Sequence, residues 1–531
     1  MTSIGRRPFM QVLGAAAADL SLAPLSNERK EGGLVQPAGA RPNVLFVAFD
    51  DLNHWAEPLG GHPQTKTPHL KRFADRNVNF VRSYCASPSC LPSRTALMTG
   101  LYPHHNGVYS NYQHWREALP ASAEMLPHYF MSQGYYTAGS GKIFHDANPT
   151  SWVDYYPSKE RPVVENFRPK PGGLVNMPNF PGVYTDFDWA ALDIPDEDMG
   201  DYKSVSWVSE QLQKTHDKPF FLGCGMTRPH NPWYVPRAYY DMFPLESIQL
   251  PPVREHDLRD TGERATEIAH RGGNYHRHLV EAGLWKNVIQ AYLASMAFAD
   301  AQFGRLMAAL ERSPHADNTI VVVWSDHGWQ FGEKEHWRKF ALWENVLRVV
   351  TMIRVPKGVA ATLPQGTPAG AQCERIVSLV DLFPTLCELC SVEPKPNLDG
   401  RSLVPLLKDA TTAWDHPALS ACDFAEFSVR IEGWRYTRYI DDSEELYDEA
   451  RDPYEWTNLA YDPKYADVKR RLAAHIPATQ VPITQTYVRG GGPQEPTPAG
   501  RTPYELSPWH VAPFRTKQEY RDYKDRISFG E

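Results

Sequence analysis

Cys90 is the residue of this chain whose sequence context indicates chemistry most directly. It is followed by Pro92 and Arg94, and this Cys-X-Pro-X-Arg pattern is the signal for conversion of a cysteine to formylglycine. The aldehyde of formylglycine hydrates, and one of its hydroxyls can then act as a nucleophile. The same stretch also predicts the start of a helix, since proline suits the first helical turn and Ala96 and Leu97 would continue it. The two interpretations are compatible, because a helix N-terminus at Cys90 would present backbone N–H groups to an anion.

Four apolar segments end in polar residues suited to chemistry, and each predicts a buried strand. They are continuous in apolar, β-branched or aromatic residues, as expected of a parallel sheet that is covered on both faces. The segments and the polar residues after them are 43–49 with Asp50 and Asp51, 135–139 with Lys142, 219–223 with Arg228 and His230, and 319–324 with Asp326 and His327. Ligands of open parallel sheets bind outside the carboxyl ends of the strands. We therefore expect these four ends to converge on one site.

Helical patterns lie between the strand segments, most clearly over residues 290–310. This alternation predicts an α/β sandwich with a large, mostly parallel sheet flanked by helices. The composition shifts near residues 399–401, and three shorter strand patterns follow at 428–431, 434–439 and 445–448. We therefore predict a catalytic domain over 41–400. A smaller subdomain with a short antiparallel sheet, ending in a Pro- and Gly-rich tail that wraps the surface, is predicted over 401–531.

The bulk composition limits the possible partners. The chain has 531 residues, a formal net charge of -8 and 42% hydrophobic residues, as in an ordinary globular protein with more than one core. The acidic balance argues against nucleic acid as the main partner, so an anionic substrate would need a local basic pocket. The seven cysteines are too few and too irregularly spaced for a disulfide framework. Cys387 and Cys390 lie in a helical pattern, which favours buried packing over a metal site.

The first forty residues, 1–40, are similar to a twin-arginine export signal. Arg6 and Arg7 are followed by Phe9 and a short apolar run, and residues 38–40 are small enough for a cleavage site. The alternative is a basic tail that is not a signal. We find no apolar run long enough to span a membrane and expect a periplasmic or secreted protein.

Adjacent carboxylates at a strand end indicate a cation site. Asp50 and Asp51 would repel each other unless a cation lies beside them, and Asp326 with His327 at another strand end would complete a cage. Carboxylate-rich ligation favours a hard divalent ion, Ca²⁺ or Mg²⁺. The alternative is structural, because an Asp-Asp pair is also common in turns and helix caps.

Residues 88–100, PSCLPSRTALMTG, closely resemble the signature of type I sulfatases, the formylglycine-dependent enzymes of the alkaline-phosphatase-like superfamily. Within it Leu91 departs from the small residue that the family usually carries. Residues 134–145, GYYTAGSGKIFH, resemble the second signature of that family. The Asp326-His327 pair, with residues 328–339 after it, is similar to the iduronate-2-sulfatase subgroup. The resemblance covers nearly the whole chain after the predicted export signal and implies an alkaline-phosphatase-like sandwich.

The resemblance also implies a set of site residues. One Ca²⁺ would be held by Asp50, Asp51, Asp326, His327 and the formylglycine made from Cys90. The implied catalytic residues are Arg94 and Lys142, which position the hydrated aldehyde, His145 as the base that allows sulfate release, His230 as the acid for the leaving alcohol, and Lys339 as a clamp on the sulfate. Without the signatures, each lysine would be read as a solvated surface charge and each histidine as a structural residue.

The reaction implied is hydrolysis of a sulfate ester, with the 2-O-sulfate of a uronic acid in a sulfated glycan as the expected substrate. Trp337 and Arg338 adjoin Lys339 and are expected to contact a sugar ring and its carboxylate. A formylglycine-generating enzyme would be the partner during maturation. Two alternatives stay open: a phosphonate monoester or phosphodiester hydrolase of the same superfamily, and a sulfoglycan-binding pseudoenzyme.

Overall fold

The computed structural model describes residues 41–111, 113–157, 174–178, 180, 187–271, 273–483 and 516–528. The predicted export signal over 1–40 and most of the predicted surface-wrapping tail lie outside these residues. Within the described part of the chain, no helix combines the length and the apolar character that a membrane crossing requires.

The described strands form one large sheet and several small ones. In chain order they are β1 (Asn43–Asp50), β2 (Val78–Phe80), β3 (Ser83–Tyr84), β4 (Tyr136–Gly141), β5 (Asp154–Tyr156), β6 (Trp189–Leu192), β7 (Phe220–Pro229), β8 (Trp233–Pro236), β9 (Thr319–Ser325), β10 (Gln330–Phe331), β11 (Trp337–Arg338), β12 (Arg348–Val349), β13 (Thr351–Arg354), β14 (Gln372–Cys373), β15 (Val377–Ser378), β16 (Ala418–Ala421), β17 (Phe427–Ile431), β18 (Trp434–Arg438) and β19 (Glu444–Asp448).

The described α-helices lie between and after these strands. In chain order they are α1 (Pro68–Ala74), α2 (Cys90–Thr99), α3 (Pro103–Asn106), α4 (Trp115–Ala118), α5 (Leu126–Ser132), α6 (Gly200–Gln213), α7 (Arg237–Tyr240), α8 (Glu263–Ala269), α9 (Tyr275–Glu281), α10 (Trp285–Glu311), α11 (Glu344–Leu347), α12 (Leu382–Leu389), α13 (Val404–Lys408), α14 (Ala466–Ala473) and α15 (Lys517–Ser528).

The large sheet has eight strands in the order β14-β2-β13-β9-β1-β7-β4-β5. Strand β13 is antiparallel to both of its neighbours, and the other five pairings are parallel. The four predicted strand segments are β1, β4, β7 and β9, and they are adjacent in the sheet. The predicted α/β class and the mostly parallel sheet are therefore confirmed.

The side chains of strand β1 show that the sheet is covered on both faces. Alternate side chains of a strand point to opposite faces, and all of β1 is buried. Leu45 and Val47 pack into one apolar core, which also contains α10. Val44 and Phe46 pack into a second core, which contains α12. The continuous apolar run in β1 is thus required by two cores rather than one.

A second, antiparallel sheet follows near the C-terminus, in the order β16-β17-β18-β19. Val429, Tyr436 and Leu446 from this sheet pack with Leu472 of α14 in a separate apolar cluster. The predicted short strands over 428–448 are confirmed. The domain boundary at residue 400 stays a prediction.

Candidate active site

The predicted site residues come together at the carboxyl edge of the large sheet. Strands β9, β1, β7 and β4 run parallel side by side, so their carboxyl ends lie at the same edge. Asp50 ends β1, Lys142 follows β4, and Asp326 follows β9. Helix α2 begins at Cys90, as the sequence predicts, and points its N-terminus at these residues. The four strand ends thus converge, as their polar residues indicate.

Cys90 lies at the centre of this cluster and is only 1% exposed. Its Sγ is 3.0 Å from Lys339 Nζ, 3.3 Å from His327 Nε2, 3.6 Å from Asp50 Oδ1 and 3.9 Å from Lys142 Nζ. Although burial opposes the charged form, Lys142, Lys339 and His327 hold the pKa of the Cys90 thiol well below its ordinary value. The surroundings of residue 90 therefore favour a negatively charged side chain or ligand at this position.

Arg94 ties the strand ends together, four residues along α2 from Cys90. Its Nε donates to Asp326 Oδ2 at 2.8 Å. Its Nη1 donates to the carbonyls of Lys142 at 2.6 Å and Ile143 at 2.9 Å, and its Nη2 donates to the carbonyl of Phe49 at 3.3 Å. A guanidinium with its donors arranged in a rigid fork suits this task. Arg94 consequently fixes the framework of the site through backbone carbonyls of β1 and of the segment after β4.

Asp50, Asp51, Asp326 and His327 supply the donors of a candidate metal centre. The donor atoms of Asp50, Asp326, His327 and Cys90 all lie within 4.8 Å of one another, and Asp51 shares a second such group with Asp50 and Cys90. Among the described residues, Asp51 Oδ2 is buried and has no hydrogen-bond partner. Three buried carboxylates with a spare oxygen fit a hard divalent cation, so the residues fit the ion that the sulfatase resemblance implies.

His327 is oriented for ligation. Its Nδ1 lies 3.1 Å from the Gly328 carbonyl, and its Nε2 faces Asp51 Oδ1 at 3.4 Å and Asp326 Oδ2 at 3.6 Å. A backbone carbonyl on one ring nitrogen is the usual way to present the other nitrogen to a metal. Burial lowers the pKa of His327, but Asp326 outweighs it and raises that pKa to about 9. The same carboxylates attract either a proton on His327 or a cation, so metal binding would release that proton.

Backbone strain accompanies two of the site residues. Asp51 has φ 63°, and its N–H donates to Asp326 Oδ1 at 3.2 Å while its carbonyl accepts from Tyr292 Oη at 2.8 Å. Lys339 lies between Arg338 and Phe340, which have φ 85° and 74°. Left-handed conformations at residues other than glycine persist where the surrounding structure enforces them, and they concentrate at functional sites.

Two lysines and two histidines complete the cluster. Lys339 Nζ donates to Asp51 Oδ1 at 2.9 Å, and Lys142 Nζ contacts Asp50. Burial lowers the pKa of His145, which faces Cys90, and so favours the neutral imidazole that a base requires. His230 is 25% exposed on the solvent side, with Nε2 at 3.7 Å from Asp51 Oδ2. The sequence-predicted site residues are thus all within one cluster.

The expectation for Trp337 is wrong. Trp337 is only 1% exposed, and its Nε1 donates to His276 Nδ1 at 3.2 Å. It packs in the core beside Phe331 and cannot stack on a sugar. Arg338 lies over the rings of Tyr275 and Phe340.

Sequence reasoning assigned no role to two further residues close to His230. Arg228 is buried and donates to the His230 carbonyl, and Asp201 accepts from the backbone of Thr227 and Arg228. The sequence places Arg228 among the polar residues after the segment 219–223, two residues before His230, but does not indicate which group it binds. No local pattern identifies Asp201.

The family comparisons identify the class of protein to which this fold and site belong. Residues 42–392 match the protein family Sulfatase, and residues 332–481 match the family N-sulphoglucosamine sulphohydrolase, C-terminal. The chain belongs to the sulfatase family.

Known relatives extend over most of the chain. A sulfatase from Formosa agariphila is 35% identical over 87% of this chain and 91% of its own length. Iduronate 2-sulfatase from Mus musculus is 28% identical over 81% of this chain and 93% of its own length. The solved structure of a phosphonate monoester hydrolase from Silicibacter pomeroyi covers 82% of this chain and 94% of its own, with a TM-score of 0.66 and 20% identity. At that identity the likeness concerns the fold alone.

Proposed function

We propose that this sulfatase hydrolyses the 2-O-sulfate of a uronic acid in a sulfated glycan. The observation that carries the sulfate-ester reaction is the position of Cys90 Sγ, at 3.0 Å from Lys339 Nζ and 3.3 Å from His327 Nε2, above the carboxylates of the strand ends. The uronate is supported by the Asp326-His327 pair and by the similarity to an iduronate 2-sulfatase along most of both chains.

Asp50, Asp51, Asp326 and His327 would hold one Ca²⁺ together with formylglycine at position 90. When bound, the ion would stabilise negative charge on oxygen and the hydrated aldehyde would supply the nucleophile. The remaining residues act on charge and protons. Lys339 would bind the anionic sulfate oxygens and Lys142 would position the hydrated aldehyde, since both ammonium groups already face residue 90.

The two histidines divide the proton transfers by their exposure. His230, on the solvent side, would donate a proton from Nε2 to the leaving sugar oxygen, and its Nδ1 faces the Asn231 carbonyl. His145 is buried beside residue 90 and its pKa is lowered by burial, so its neutral imidazole would accept a proton there.

The test is sulfate release from a 2-O-sulfated uronate oligosaccharide, with a 6-O-sulfated hexosamine oligosaccharide and a phosphonate monoester alongside. The protein would be produced together with a formylglycine-generating enzyme, conversion of Cys90 would be verified by peptide mass spectrometry, and Cys90→Ala would be the blank. Release from the uronate that is lost in Cys90→Ala supports the proposal. Release from the hexosamine alone refutes the uronate, and faster phosphonate cleavage favours the alternative hydrolase. Retention of the oligosaccharide by the converted protein without any release favours a binding protein.

We also propose that residues 1–40 direct export through the twin-arginine route. The segment would be fused to a reporter that is active only after export in the folded state. Replacing Arg6 and Arg7 by lysine should abolish the signal, whereas Arg29→Lys in the same segment should not. Equal export of all three fusions would reject the proposal.

A further inference from the structure

Strand β7 contains a bulge immediately before His230. Its register with β1 is regular as far as Phe49, which lies opposite Met226, but the next residue of β1, Asp50, lies opposite Pro229. Thr227 and Arg228 are therefore extra residues without partners on β1. A bulge next to a site changes the direction of the chain and of the side chains that follow it.

The N–H groups that the bulge releases are both accepted by Asp201. Thr227 N donates to Asp201 Oδ1 at 2.9 Å, and Arg228 N donates to Asp201 Oδ2 at 2.8 Å. Asp201 lies in the first turn of α6 and is 5% exposed. Its carboxylate thus replaces the missing strand partner, because buried backbone N–H groups require an acceptor.

The side chain of Arg228 binds the backbone of His230, the residue that follows the bulge. Its Nη1 donates to the His230 carbonyl at 3.0 Å, and the His230 N–H donates to the Thr227 carbonyl at 2.8 Å. Arg228 is 3% exposed, forms no ion pair with a carboxylate among the described residues, and its Nε has no partner there. Burial lowers the pKa of Arg228 and the nearby Asp201 carboxylate opposes this, so Asp201 balances part of the buried charge without a direct ion pair.

We propose that Asp201 and Arg228 are positioning residues for His230. Asp201 fixes the backbone before the turn and Arg228 fixes the carbonyl of His230 itself, so that the imidazole is held at the solvent side of the Asp51 carboxylate. Neither residue needs to contact the substrate. This inference rests on the proposed function, in which His230 protonates the leaving oxygen.

A leaving-group comparison separates positioning from general stability. A sugar alkoxide is a poor leaving group and needs the proton from His230, whereas a nitrophenolate leaves without one. Damage to the placement of His230 should therefore slow cleavage of an alkyl or glycan sulfate and spare cleavage of a nitrophenyl sulfate. A small displacement of a general acid is expected to cost about 10- to 100-fold in kcat.

The variants are Asp201→Asn, Arg228→Lys and, as the reference, His230→Gln, each with verified conversion of Cys90. We expect the first two to lose about 10- to 100-fold in kcat on the sugar sulfate and less than about 3-fold on the aryl sulfate. His230→Gln should likewise slow the sugar sulfate far more than the aryl sulfate. In the His230→Gln background, Asp201→Asn should add no further selective loss. The matched control is Asp381→Asn, because Asp381 is also buried and also accepts two backbone N–H groups, those of Ser378 and Arg401, each at 2.8 Å.

Equal losses on both substrates would overturn the positioning role. Arg228→Lys keeps the result interpretable should Asp201→Asn fail to fold, since it leaves the acceptor of the bulge intact. If His230→Gln itself slows cleavage of both substrates equally, the proposed acid role of His230 is wrong, and so is the positioning role of Asp201 and Arg228. If only His230→Gln is selective, the acid role stands and Asp201 and Arg228 are structural.

Discussion

Replacing Lys339 by methionine tests how the site balances its charges. Lys339 Nζ lies 2.9 Å from Asp51 Oδ1, and both side chains are buried. At an effective dielectric constant of about 20, this separation corresponds to about 6 kcal/mol of attraction. Breaking one partner of a buried pair typically costs about 3 to 5 kcal/mol, because the other charge is left uncompensated. We therefore expect Lys339→Met to lower the free energy of unfolding by about 3 to 5 kcal/mol in the presence of a chelator.

Calcium should reverse much of this loss. Lys339 and a cation compete for Asp51, so removing the ammonium makes the candidate metal centre more negative and raises its affinity for a divalent ion. The increase in denaturation midpoint on adding Ca²⁺ should thus be larger in Lys339→Met than in the parent protein. Activity should not recover, because a charged donor directed at the reacting group contributes about 100- to 1,000-fold in kcat.

Lys334→Met is the matched control. Lys334 is buried five residues earlier and pairs with Asp257 at 3.0 Å, away from the candidate metal ligands. The Lys334→Met variant should be destabilised about as much as Lys339→Met, but its denaturation midpoint should not respond more strongly to Ca²⁺ than that of the parent protein. The measurements are urea denaturation with chelator or Ca²⁺, and sulfate release by the converted proteins. Equal responses of the two variants to Ca²⁺, or near-parent activity of Lys339→Met, would refute the charge-balance reasoning.

Three further outcomes are expected. Cys90→Ser should stop turnover after one transfer, since a serine ester has no second hydroxyl to expel sulfate, and intact-mass spectrometry should detect a sulfated protein; continued turnover would contradict this. Trp337→Phe should destabilise the fold by about 1 to 3 kcal/mol through lost packing and the lost bond to His276, with KM unchanged; a raised KM would return Trp337 to the substrate site. Burial raises the pKa of Asp300 from 3.8 to about 7, although the His69 and Leu70 N–H groups oppose this. Because the folded state binds this proton more tightly, Asp300 should cost stability progressively as the pH rises from about 4 to about 7, and Asp300→Asn should show a flatter stability profile over that range by chemical denaturation. Parallel profiles for the two proteins would argue against it.

The sequence predicts the sheet and the convergence of its strand ends, because both depend on local signals. The run 44–49 is apolar throughout and Asp50 follows it directly, so the buried strand and its polar end are visible together. The antiparallel direction of β13 is not visible, since Thr351–Arg354 has the same character as a parallel strand. The burial of Trp337 is not visible for a related reason, because it depends on contacts with His276 and Phe187, which are distant in sequence.

Asp201 could not be identified from sequence, and the reason is physical. It lies in the first turn of α6, where an acidic residue is common and needs no further explanation. Its partners Thr227 and Arg228 are free to donate only because the register of β7 against β1 shifts between Met226 and Pro229. A register shift is a property of two paired strands, so no single segment of the sequence contains it.

The C-terminal sheet contributes none of the predicted site residues, yet it supports the segment that carries Lys339. Phe340 N donates to the Pro88 carbonyl at 2.9 Å, two residues before Cys90, and Cys422 Sγ contacts the Phe340 carbonyl at 3.4 Å.

Farther along the same segment, Glu344 is the acceptor of Arg435 from β18 and of Arg430 from β17 at 3.3 Å, and its N–H donates to Glu455 at 2.9 Å. These charges are buried, so each remains stable only while its partners are in place. The left-handed conformations on both sides of Lys339 likewise need enforcement from outside the segment. Cys422, directly after β16, provides one such contact at Phe340, and the ion pairs of Glu344 anchor the end of the segment to β17 and β18.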